Sequence, residues 1–235
     1  MDEGQIIARP LVTITNVIWS FNPELHKPQI LLIKRAADPF KGHWALPETL
    51  LRRDESADAA CIRLISDKIG LRVPLNAAEQ LATFTDPQRV SGTRALALAY
   101  MTFLPTMLPL HPGYGATDAQ WFVLQTTVLT PKLVHNRQIL TLDEHSQLAF
   151  DHVQIICTAI TRIKNKLDYQ PNILKILGQS FTLRQAREVY ATFLGTTAGQ
   201  IDNSNFKKTH AHLFEEIGVA VTKHSGRPPK LYQLK

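Results

Sequence analysis

The pattern of apolar residues divides the chain into a strand-rich first part and a helical last third. In the first part, apolar and β-branched runs are bounded by turns that contain Pro, Gly or Asp, which is typical of β-strands. These runs span residues 11–21, 29–35, 80–86, 94–104 and 120–124. A single helix is predicted between them, over Ser56–Ile69. One helix among several strands favours an α+β fold around a mixed sheet.

The pattern changes near residue 147. From there to Leu167 the apolar residues fall at helical spacing, and Lys164 and Lys166 lie in the last turns. Positive charge at that end favours a helix C-terminus. We predict a helix that connects two domains, which divides the chain into residues 1–146 and residues 147–235.

Two more helices and a hairpin are predicted after this connector. Thr182 is a good N-cap for a helix that Gly195 is placed to end. Asp202–Ser204 forms a second capping cluster, and it precedes a helix predicted over 204–217, before Gly218. Short alternating runs then flank a Ser-Gly-Arg-Pro-Pro turn. Helix, turn, helix and hairpin is the element order of a winged helix-turn-helix.

The predicted helix over 204–217 has an apolar and a polar face. The apolar face, expected in the core, comprises Phe206, His210, Leu213, Phe214 and Ile217. The polar face begins with small and basic residues near the helix N-terminus, the end that recognition helices insert into the major groove. With the start of the preceding helix and the hairpin, the predicted DNA-binding residues are Thr182, Arg184, Ser204, Asn205, Lys207, Lys208, His212, Lys223, Arg227 and Lys230.

The charge distribution agrees with a nucleic-acid partner. The net charge is +6. Residues 1–150 carry 14 Lys and Arg against 14 Asp and Glu, whereas residues 151–235 carry 12 against 6. The whole excess lies in the C-terminal third, which is the electrostatic footprint expected for binding double-stranded DNA. The alternative is a helical packing module with an ordinary solvated basic face.

Composition excludes several other classes of protein. With 44% hydrophobic and 20% charged residues, the chain is typical of a soluble globular protein. Its N-terminus is acidic and unlike a signal peptide, and no segment approaches the ~18 uninterrupted apolar residues of a membrane span. We therefore expect a cytoplasmic protein with no membrane partner. Cys61 and Cys157 have no metal-type spacing, so neither a disulfide framework nor a zinc site is predicted.

Residues 42–71 are the most distinctive segment. Glu55, Arg63, Gly70 and Leu71 stand at the spacing of the Nudix box, the loop and helix of pyrophosphate-cleaving enzymes, which this segment resembles. The usual lead-in also matches, at Gly42, Trp44, Leu46 and Pro47. After the proline, however, Glu48 and Thr49 replace two glycines, and the three helix glutamates of the box are replaced by Leu64, Asp67 and Lys68.

These replacements change the chemistry that the segment can perform. Mg²⁺ prefers oxygen ligands, and carboxylates at i, i+3 and i+4 of a helix share one face. Here that face offers an alkyl group at Leu64, a short acid at Asp67 and an ammonium at Lys68. Metal-assisted hydrolysis needs the ion that these groups do not hold. We predict neither a metal site nor catalytic residues, and expect a phosphate-bearing ligand to be bound by cations.

The whole chain resembles one family. The segments LAFDHVQIICTAITRIKNKLDY, SFTLRQAREVYATFLG, IDNSNFKKT and GRPPKLYQL look like the C-terminal module of the Nudix-related transcriptional regulators, and EQLATF with DPQR resembles their N-terminal domain. The resemblance implies an N-terminal Nudix-like α/β/α sandwich and a C-terminal winged helix-turn-helix. It also implies a dimeric repressor of NAD-metabolism genes that binds ADP-ribose or another NAD-related nucleotide and then releases operator DNA. No cofactor is required. Relatives of this architecture that sense sugars leave the effector open.

Candidate ligand residues follow from the chemistry of a nucleotide. Two phosphates need cations, and an adenine needs a flat partner. The candidate phosphate ligands are Arg35, Lys41, Arg89 and Arg94, and the candidate stacking residues are Phe40 and Trp44. Each has a structural alternative, as a solvated strand end or a core residue. Arg63 is expected to be structural, since Glu55 is a natural ion-pair partner.

Two rival functions remain open. The chain could be a Nudix-type pyrophosphatase that acts on ADP-ribose or NAD, in which Glu55 and Asp67 hold a metal with help from Asp58 or Glu48. It could also be a DNA-binding protein that has lost its ligand. The leading hypothesis is the effector-responsive regulator, because the altered box and the basic C-terminal module agree with it.

Overall fold

The computed structural model describes residues 9–71, 73–74, 77–107, 109–127, 129–221 and 228–235. The strands are β1 (Leu11–Asn22), β2 (Lys27–Arg35), β3 (Trp44–Ala45), β4 (Glu48–Leu50), β5 (Ala78–Phe84), β6 (Ala95–Phe103), β7 (Ala116–Gln125), β8 (Lys132–His135), β9 (Gln138–Thr141), β10 (Phe214–Val219) and β11 (Lys230–Leu234). The α-helices are α1 (Ala57–Ile69), α2 (His152–Lys166), α3 (Leu183–Leu194) and α4 (Asn203–Thr209), and short 3-10 helices span Asn172–Leu177 and Ala198–Gln200.

The first nine strands form one mixed sheet, which confirms the predicted fold class. Its main path runs β5-β6-β1-β2-β7-β8-β9, while β3 pairs with β2 and β4 pairs with β1. Strands β1 and β6 are parallel, and the other pairs are antiparallel. Because β4 lies along Thr13–Thr15 of β1, Glu48 is held beside the centre of the sheet.

Alternation along β1 creates two cores, one on each face of the sheet. Ile14 and Ile18 pack on the side of α1, whereas Val17 and Trp19 pack on the side of α2 and α3. This two-residue period is the expected consequence of strand geometry. Helices on both faces of the sheet give the predicted α/β/α sandwich.

Helix α1 forms where the sequence predicted it, because capping residues are present at both of its ends. The Ser56 hydroxyl accepts a hydrogen bond from the Ala59 amide at 3.1 Å, which satisfies one of the unpaired amides at the helix N-terminus. At the other end Gly70 adopts φ 69°, the left-handed conformation that glycine takes without steric cost. The Nudix-like segment is therefore a loop followed by a capped helix.

Helix α2 begins at His152, later than the predicted start near residue 147. Leu148 forms a β-bridge with Trp44, and the Ala149 amide donates to the Trp44 carbonyl at 2.9 Å. Phe150 then takes φ 54°, which is incompatible with a continuing right-handed helix. Leu148 and Ala149 therefore pair with β3, although the spacing of the apolar residues predicted that they would be helical.

The predicted helix over 204–217 is wrong beyond Thr209. Helix α4 ends at Thr209. His210 caps it, with its Nδ1 2.9 Å from the Phe206 carbonyl, and β10 starts at Phe214. Phe214 pairs with Leu234 of β11 and is buried, whereas Ile217, expected in the core, is 47% exposed. His210 is buried as predicted. Pairing with β11 overrides the helical spacing of the apolar residues, a common outcome when tertiary contacts compete with local pattern.

The sequence pattern missed β8 and β9. Each strand has four residues, and their hairpin turns at Asn136, which has φ 52°. Strands this short lie at the lower limit for a period-two pattern. Within the described ranges, no helix combines the length and the apolar character needed to span a bilayer.

Candidate functional site

A cavity of about 670 Å³ opens beside α1. Its walls come from the end of β2, from β4 and the residues that flank it, from α1, and from the loop before β7. The lining residues are Thr13, Ile33, Arg35, Leu46, Glu48, Thr49, Leu50, Arg52, Arg63, Leu64, Asp67, Lys68, Tyr114 and Gly115. Small-molecule sites commonly enclose roughly 300–1,000 Å³, so this cavity, the box pocket, is large enough for a nucleotide.

Arg63 is bound within the wall of the box pocket. Its guanidinium makes two hydrogen bonds to Glu55, at 2.9 and 2.6 Å, and lies 3.4 Å from Asp67. It also donates to the Leu50 carbonyl at 3.0 Å. The hydrogen bonds from Arg63 lower the pKa of Glu55 from 4.5 to about 2. The expected Glu55–Arg63 ion pair is present, and it holds the loop against α1.

Besides Arg63, the box pocket is lined by Arg35, Arg52 and Lys68, of which Arg35 and Lys68 are held by contacts within the protein. The Arg35 Nε donates to the Pro39 carbonyl at 2.8 Å, and its guanidinium lies 4.8 Å from the centre of the Phe150 ring. The Lys68 ammonium donates to the Tyr114 carbonyl. Burial and the positive charge of Arg35 lower the pKa of Lys68, although Asp67 and Glu48 oppose this shift. Arg35 and Lys68 repel one another across the pocket, and a bound anion would relieve that repulsion.

The same residues do not fit a divalent cation. Leu64 is fully buried and offers no oxygen, while Lys68 places an ammonium where a third ligand would stand. Glu55 and Asp67 are both engaged by Arg63. Within the part of the chain that the structure describes, no three His, Cys, Asp or Glu side chains are grouped to hold a metal.

A buried polar cluster lies behind Glu48, which lines the box pocket. Glu48 Oε2 accepts a hydrogen bond from Thr15 at 2.8 Å and lies 3.8 Å from His152 Nε2. The Leu46 amide donates to His152 Nδ1 at 3.0 Å, which leaves the neutral ring its proton on Nε2, facing Glu48. Burial raises the pKa of Glu48, but His152, Thr15 and Arg89 together outweigh burial and lower it overall.

Arg89, a predicted phosphate ligand, belongs to this buried cluster. Its side chain is 1% exposed, and it makes two hydrogen bonds of 2.9 Å to Asp151 at the start of α2. It also lies 3.9 Å from Glu48. Arg94 lies elsewhere, where it donates to the Thr85 carbonyl at 2.9 Å. Neither arginine lines the box pocket, because each is held by partners within the protein.

The remaining predicted ligand residues are divided between two places. Phe40 is 41% exposed and packs edge-on against Phe150 at 4.9 Å, beside Arg35. Lys41 and Trp44 line a different cavity of about 400 Å³, together with Lys34, Gly42, His43, Gln138, Ile139, Leu140 and Gln147. Trp44 is 6% exposed and packs on Phe122 at 5.0 Å, so it is mainly a core residue.

Sequence reasoning missed several contributors to the box pocket, among them Lys68 and Tyr114. Lys68 was recognised only as the loss of a metal ligand, although the sequence already placed it on the helix face that points to the site. Tyr114 gave no signal, because it lies in a loop far along the chain. The Gly113 amide donates to the Lys68 carbonyl at 3.0 Å, and a Cβ at Gly113 would stand 2.1 Å from the Asp67 carbonyl oxygen. Only glycine permits this approach.

The C-terminal module has a second basic concavity, of about 740 Å³, between α3, α4 and β11. Four predicted DNA-binding residues line it: Thr182, Arg184, Lys207 and Lys230. The other lining residues are Leu183, Arg187, Asn203, Pro228, Pro229 and Tyr232. Arg187, which the prediction omitted, donates to the Ala198 and Ile201 carbonyls at 3.3 and 3.0 Å, so it shapes the turn between α3 and α4.

The other predicted DNA-binding residues surround this concavity or fall beyond the description. Ser204, Asn205 and Lys208 are exposed on α4, and His212 is exposed just after it. Lys223 and Arg227 lie outside the described residues. Thr182 is engaged locally, since its hydroxyl accepts from the Gln185 amide at 3.2 Å and forms a capping box with Gln185.

Two family models match the chain. The model described as the NUDIX domain matches residues 13–142, and the model described as the NrtR DNA-binding winged helix domain matches residues 173–234. Together they cover both the sheet with its box pocket and the basic concavity.

Individual proteins and solved structures are similar over nearly the whole chain. A crystal structure of a MutT/nudix family protein from Enterococcus faecalis is 33% identical, with a TM-score of 0.88 over 100% of this chain and 90% of that one. Shewanella oneidensis NrtR, in a crystal structure with a 27mer DNA, shares the fold at 24% identity, with a TM-score of 0.70 over 95% and 93% of the two chains. The ADPR responsive transcriptional repressor NtrR of Acinetobacter baylyi is 27% identical over 230 residues, 95% of this chain and 82% of that protein.

Proposed function

Because this chain belongs to the Nudix family and carries an NrtR-type winged helix domain, we propose that it is a transcriptional repressor controlled by a nucleotide metabolite. The Acinetobacter relative is named as ADPR responsive, which supports ADP-ribose as the effector. The observation that carries the proposal is the pairing of a cation-lined box pocket with a basic winged helix in one chain. The regulated genes are proposed to be those of NAD metabolism.

The proposed effector site centres on Arg35 and Lys68. Both line the box pocket, and their mutual repulsion favours an anion between them. The forked guanidinium of Arg35 suits two phosphate oxygens, whereas Lys68 acts as a point charge. Phe40, which is exposed and packs on the Phe150 ring beside Arg35, is proposed to stack on the adenine. Arg89 and Arg94 are better explained as structural residues, and Lys41 and Trp44 are assigned to the neighbouring cavity.

The proposed DNA-binding surface centres on α4 and the basic concavity. Ser204 and Asn205 are exposed near the start of α4, where a recognition helix meets base edges, whereas Lys208 is exposed in its last turn. Arg184, Lys207 and Lys230 line the concavity, and we assign to them contacts with backbone phosphates. Lys223 and Arg227 remain proposals from the sequence, and His212 is proposed to flank the groove.

We propose that the chain does not hydrolyse its effector. The ligand set of the box pocket suits direct phosphate binding and does not suit a divalent ion. A sensor that hydrolysed its effector would also erase its own signal. The rival function, an ADP-ribose pyrophosphatase with a residual metal site, predicts Mg²⁺-dependent release of AMP that Asp67→Ala abolishes.

The domain division and the assembly are also proposals. We place the boundary between residues 146 and 147, so that α2 belongs with the winged helix domain. We propose a homodimer, because two recognition helices suit a palindromic operator. A repressor must reach its operator, so the cytoplasm is the proposed location.

The decisive experiment measures binding of the purified protein to labelled DNA from upstream of its own gene and of NAD-metabolism genes. Fluorescence anisotropy at several salt concentrations, with and without ADP-ribose and with EDTA present, reports both partners at once. We expect salt-sensitive binding that ADP-ribose weakens without a metal. Binding that is absent, or indifferent to nucleotides and sugars, contradicts the proposal. Release of AMP in Mg²⁺ would establish the rival.

A further inference from the structure

A cluster of polar and charged side chains joins the Nudix sheet directly to helix α3 of the winged helix domain. His26 lies in the turn between β1 and β2, and its Nδ1 is 3.1 Å from Glu188 Oε2 on α3. The turn has a defined shape, because the Asn22 side chain accepts hydrogen bonds from the Glu24 and Leu25 amides at 2.9 Å. Nearby, Trp19 of β1 packs edge-on against Phe193 of α3 at 5.4 Å.

Glu188 divides its two oxygens between two partners. Oε2 accepts from His26, and Oε1 accepts from Arg184 Nε at 3.0 Å. The Glu188 side chain is only 9% exposed, whereas that of Arg184 is 73% exposed. A carboxylate with so little access to water depends on its hydrogen-bond donors, because burying an unpaired charge is costly.

Arg184 is the member of this cluster that faces DNA. It lines the basic concavity, and its exposed guanidinium can contact a backbone phosphate. Glu188 competes with that phosphate for the same cation. The outcome of this competition depends on His26. When His26 donates to Glu188, the carboxylate keeps one hydrogen bond after Arg184 leaves. Arg184 is then released more readily than it would be without His26.

The strand that begins beside His26 ends in the effector pocket. Strand β2 runs from Lys27 to Arg35, which lines the box pocket. At ~3.3 Å per residue, these nine residues span about 30 Å of hydrogen-bonded strand. A rigid element therefore connects a proposed phosphate ligand with the donor to Glu188.

We propose that His26 is a positioning residue for operator binding, and that it acts by sharing Glu188 with Arg184. With His26 in place, Glu188 releases Arg184 to a DNA phosphate. When the effector draws β2 and its turn away from α3, Glu188 retains Arg184 and the operator affinity falls. The inference rests on the proposed function and adds a defined route between its two sites, with differential contacts in two states as allostery requires.

A double-mutant cycle between His26→Ala and Glu188→Gln tests this route by fluorescence anisotropy on operator DNA. We expect His26→Ala to weaken binding about fivefold or more, a typical allosteric coupling. Glu188→Gln should bind at least as tightly as the wild type, because the neutral amide no longer competes for Arg184. In the Glu188→Gln background, His26→Ala should then change affinity by less than about twofold, since a cycle isolates the shared interaction.

Three further variants serve as controls for the double-mutant cycle. Arg184→Gln changes an exposed side chain, so it provides a second background in which His26→Ala should have no effect even if Glu188→Gln does not fold. His26→Gln keeps an N–H donor and should restore most of the affinity. His145→Ala removes a histidine whose side chain is 84% exposed and should match the wild type.

The response to the effector distinguishes this proposal from a merely structural role of His26, because a structural role would leave that response unchanged. The ratio of operator affinities without and with ADP-ribose should fall towards one in His26→Ala. An equal loss from His26→Ala in the wild-type, Glu188→Gln and Arg184→Gln backgrounds overturns the inference and leaves the proposed function intact. Failure of the wild type to bind DNA, or to respond to ADP-ribose, instead overturns the proposed function and the inference with it.

Discussion

Lys68 donates a hydrogen bond from its ammonium group to the Tyr114 carbonyl and lies 5.5 Å from the centre of the Tyr114 ring. The contact joins the last turn of α1 to the loop before β7. It gives a structural role to the residue that stands in place of a metal-binding glutamate. The ammonium group also lines the box pocket, where we propose that it binds an anionic ligand.

Replacement of Lys68 by Ala should weaken ADP-ribose binding about tenfold or more, because a hydrogen bond to a charged group contributes roughly 1.5–3 kcal/mol. Calorimetry in the presence of EDTA measures the change. Lys175→Ala is the matched control, since Lys175 is exposed outside the box pocket and should leave the affinity unchanged. Equal affinity of Lys68→Ala and wild type would exclude Lys68 from the effector site.

Replacement of Arg89 by Met should destabilise the protein strongly. The change leaves Asp151, 11% exposed, without its two hydrogen bonds from Arg89. Loss of one partner of a buried ion pair costs about 3–5 kcal/mol of unfolding free energy. Denaturation in urea measures it, with Arg94→Met as the control.

Arg94→Met should cost about 1 kcal/mol or less, because it removes a single hydrogen bond to a carbonyl. A similar, small cost for both arginines would show that the Arg89–Asp151 pair does not stabilise the buried cluster behind the box pocket. Weaker ADP-ribose binding by a fully folded Arg89→Met variant would restore Arg89 as a ligand residue.

The Glu55–Arg63 pair should make stability depend on pH in the acid range. The folded state lowers the pKa of Glu55 from 4.5 to about 2, chiefly through the Arg63 hydrogen bonds. The unfolded chain therefore binds a proton first as the pH falls, and the contribution of Glu55, complete above pH 4.5, declines between 4.5 and 2. The difference in Tm between wild type and Glu55→Gln should thus shrink from pH 7 to pH ~3.

Glu144→Gln is the control for this titration, because the Glu144 side chain is 87% exposed. Its Tm should differ little from the wild type at either pH. If the Tm difference between wild type and Glu55→Gln were as large in acid as at neutral pH, the stabilising contacts of Arg63 would not depend on an ionised Glu55.

Replacement of Lys208 by Ala should reduce the salt dependence of operator binding. If Lys208 contacts one phosphate, the slope of log K against log salt should become shallower by about 0.9. Anisotropy titrations across several salt concentrations give the slope. Lys132→Ala, on β8 of the sheet, should leave it unchanged. An unaltered slope for Lys208→Ala would place Lys208 away from the DNA backbone.

Helices with complete local signals followed the sequence closely. Helix α1 has Ser56 at its N-cap and Gly70 in the left-handed conformation, and α3 has Thr182 and Gly195 in the same roles. All of these interactions join residues within a few positions of one another. The period-two alternation of β1 is equally local. The sequence therefore determined the mixed α+β sheet, the Nudix-like helix and the start of the winged helix.

Tertiary pairing decided the rest. Phe214 has the spacing of a helical core residue, yet it pairs with Leu234, twenty residues away, and starts a strand. A helix and a strand can both bury one such aromatic side chain, so the local pattern does not choose between them.

The same holds for the candidate site. In the sequence Arg35, Arg89 and Arg94 are equivalent cations beside strands. The structure buries Arg89 against Asp151, 62 positions later, holds Arg94 on a carbonyl, and leaves Arg35 facing Lys68 across a cavity. The sequence by itself determined that the box keeps its outline without its metal ligands. Only the fold decided which cations face the box pocket, because charge is a property of one residue whereas burial and proximity depend on distant partners.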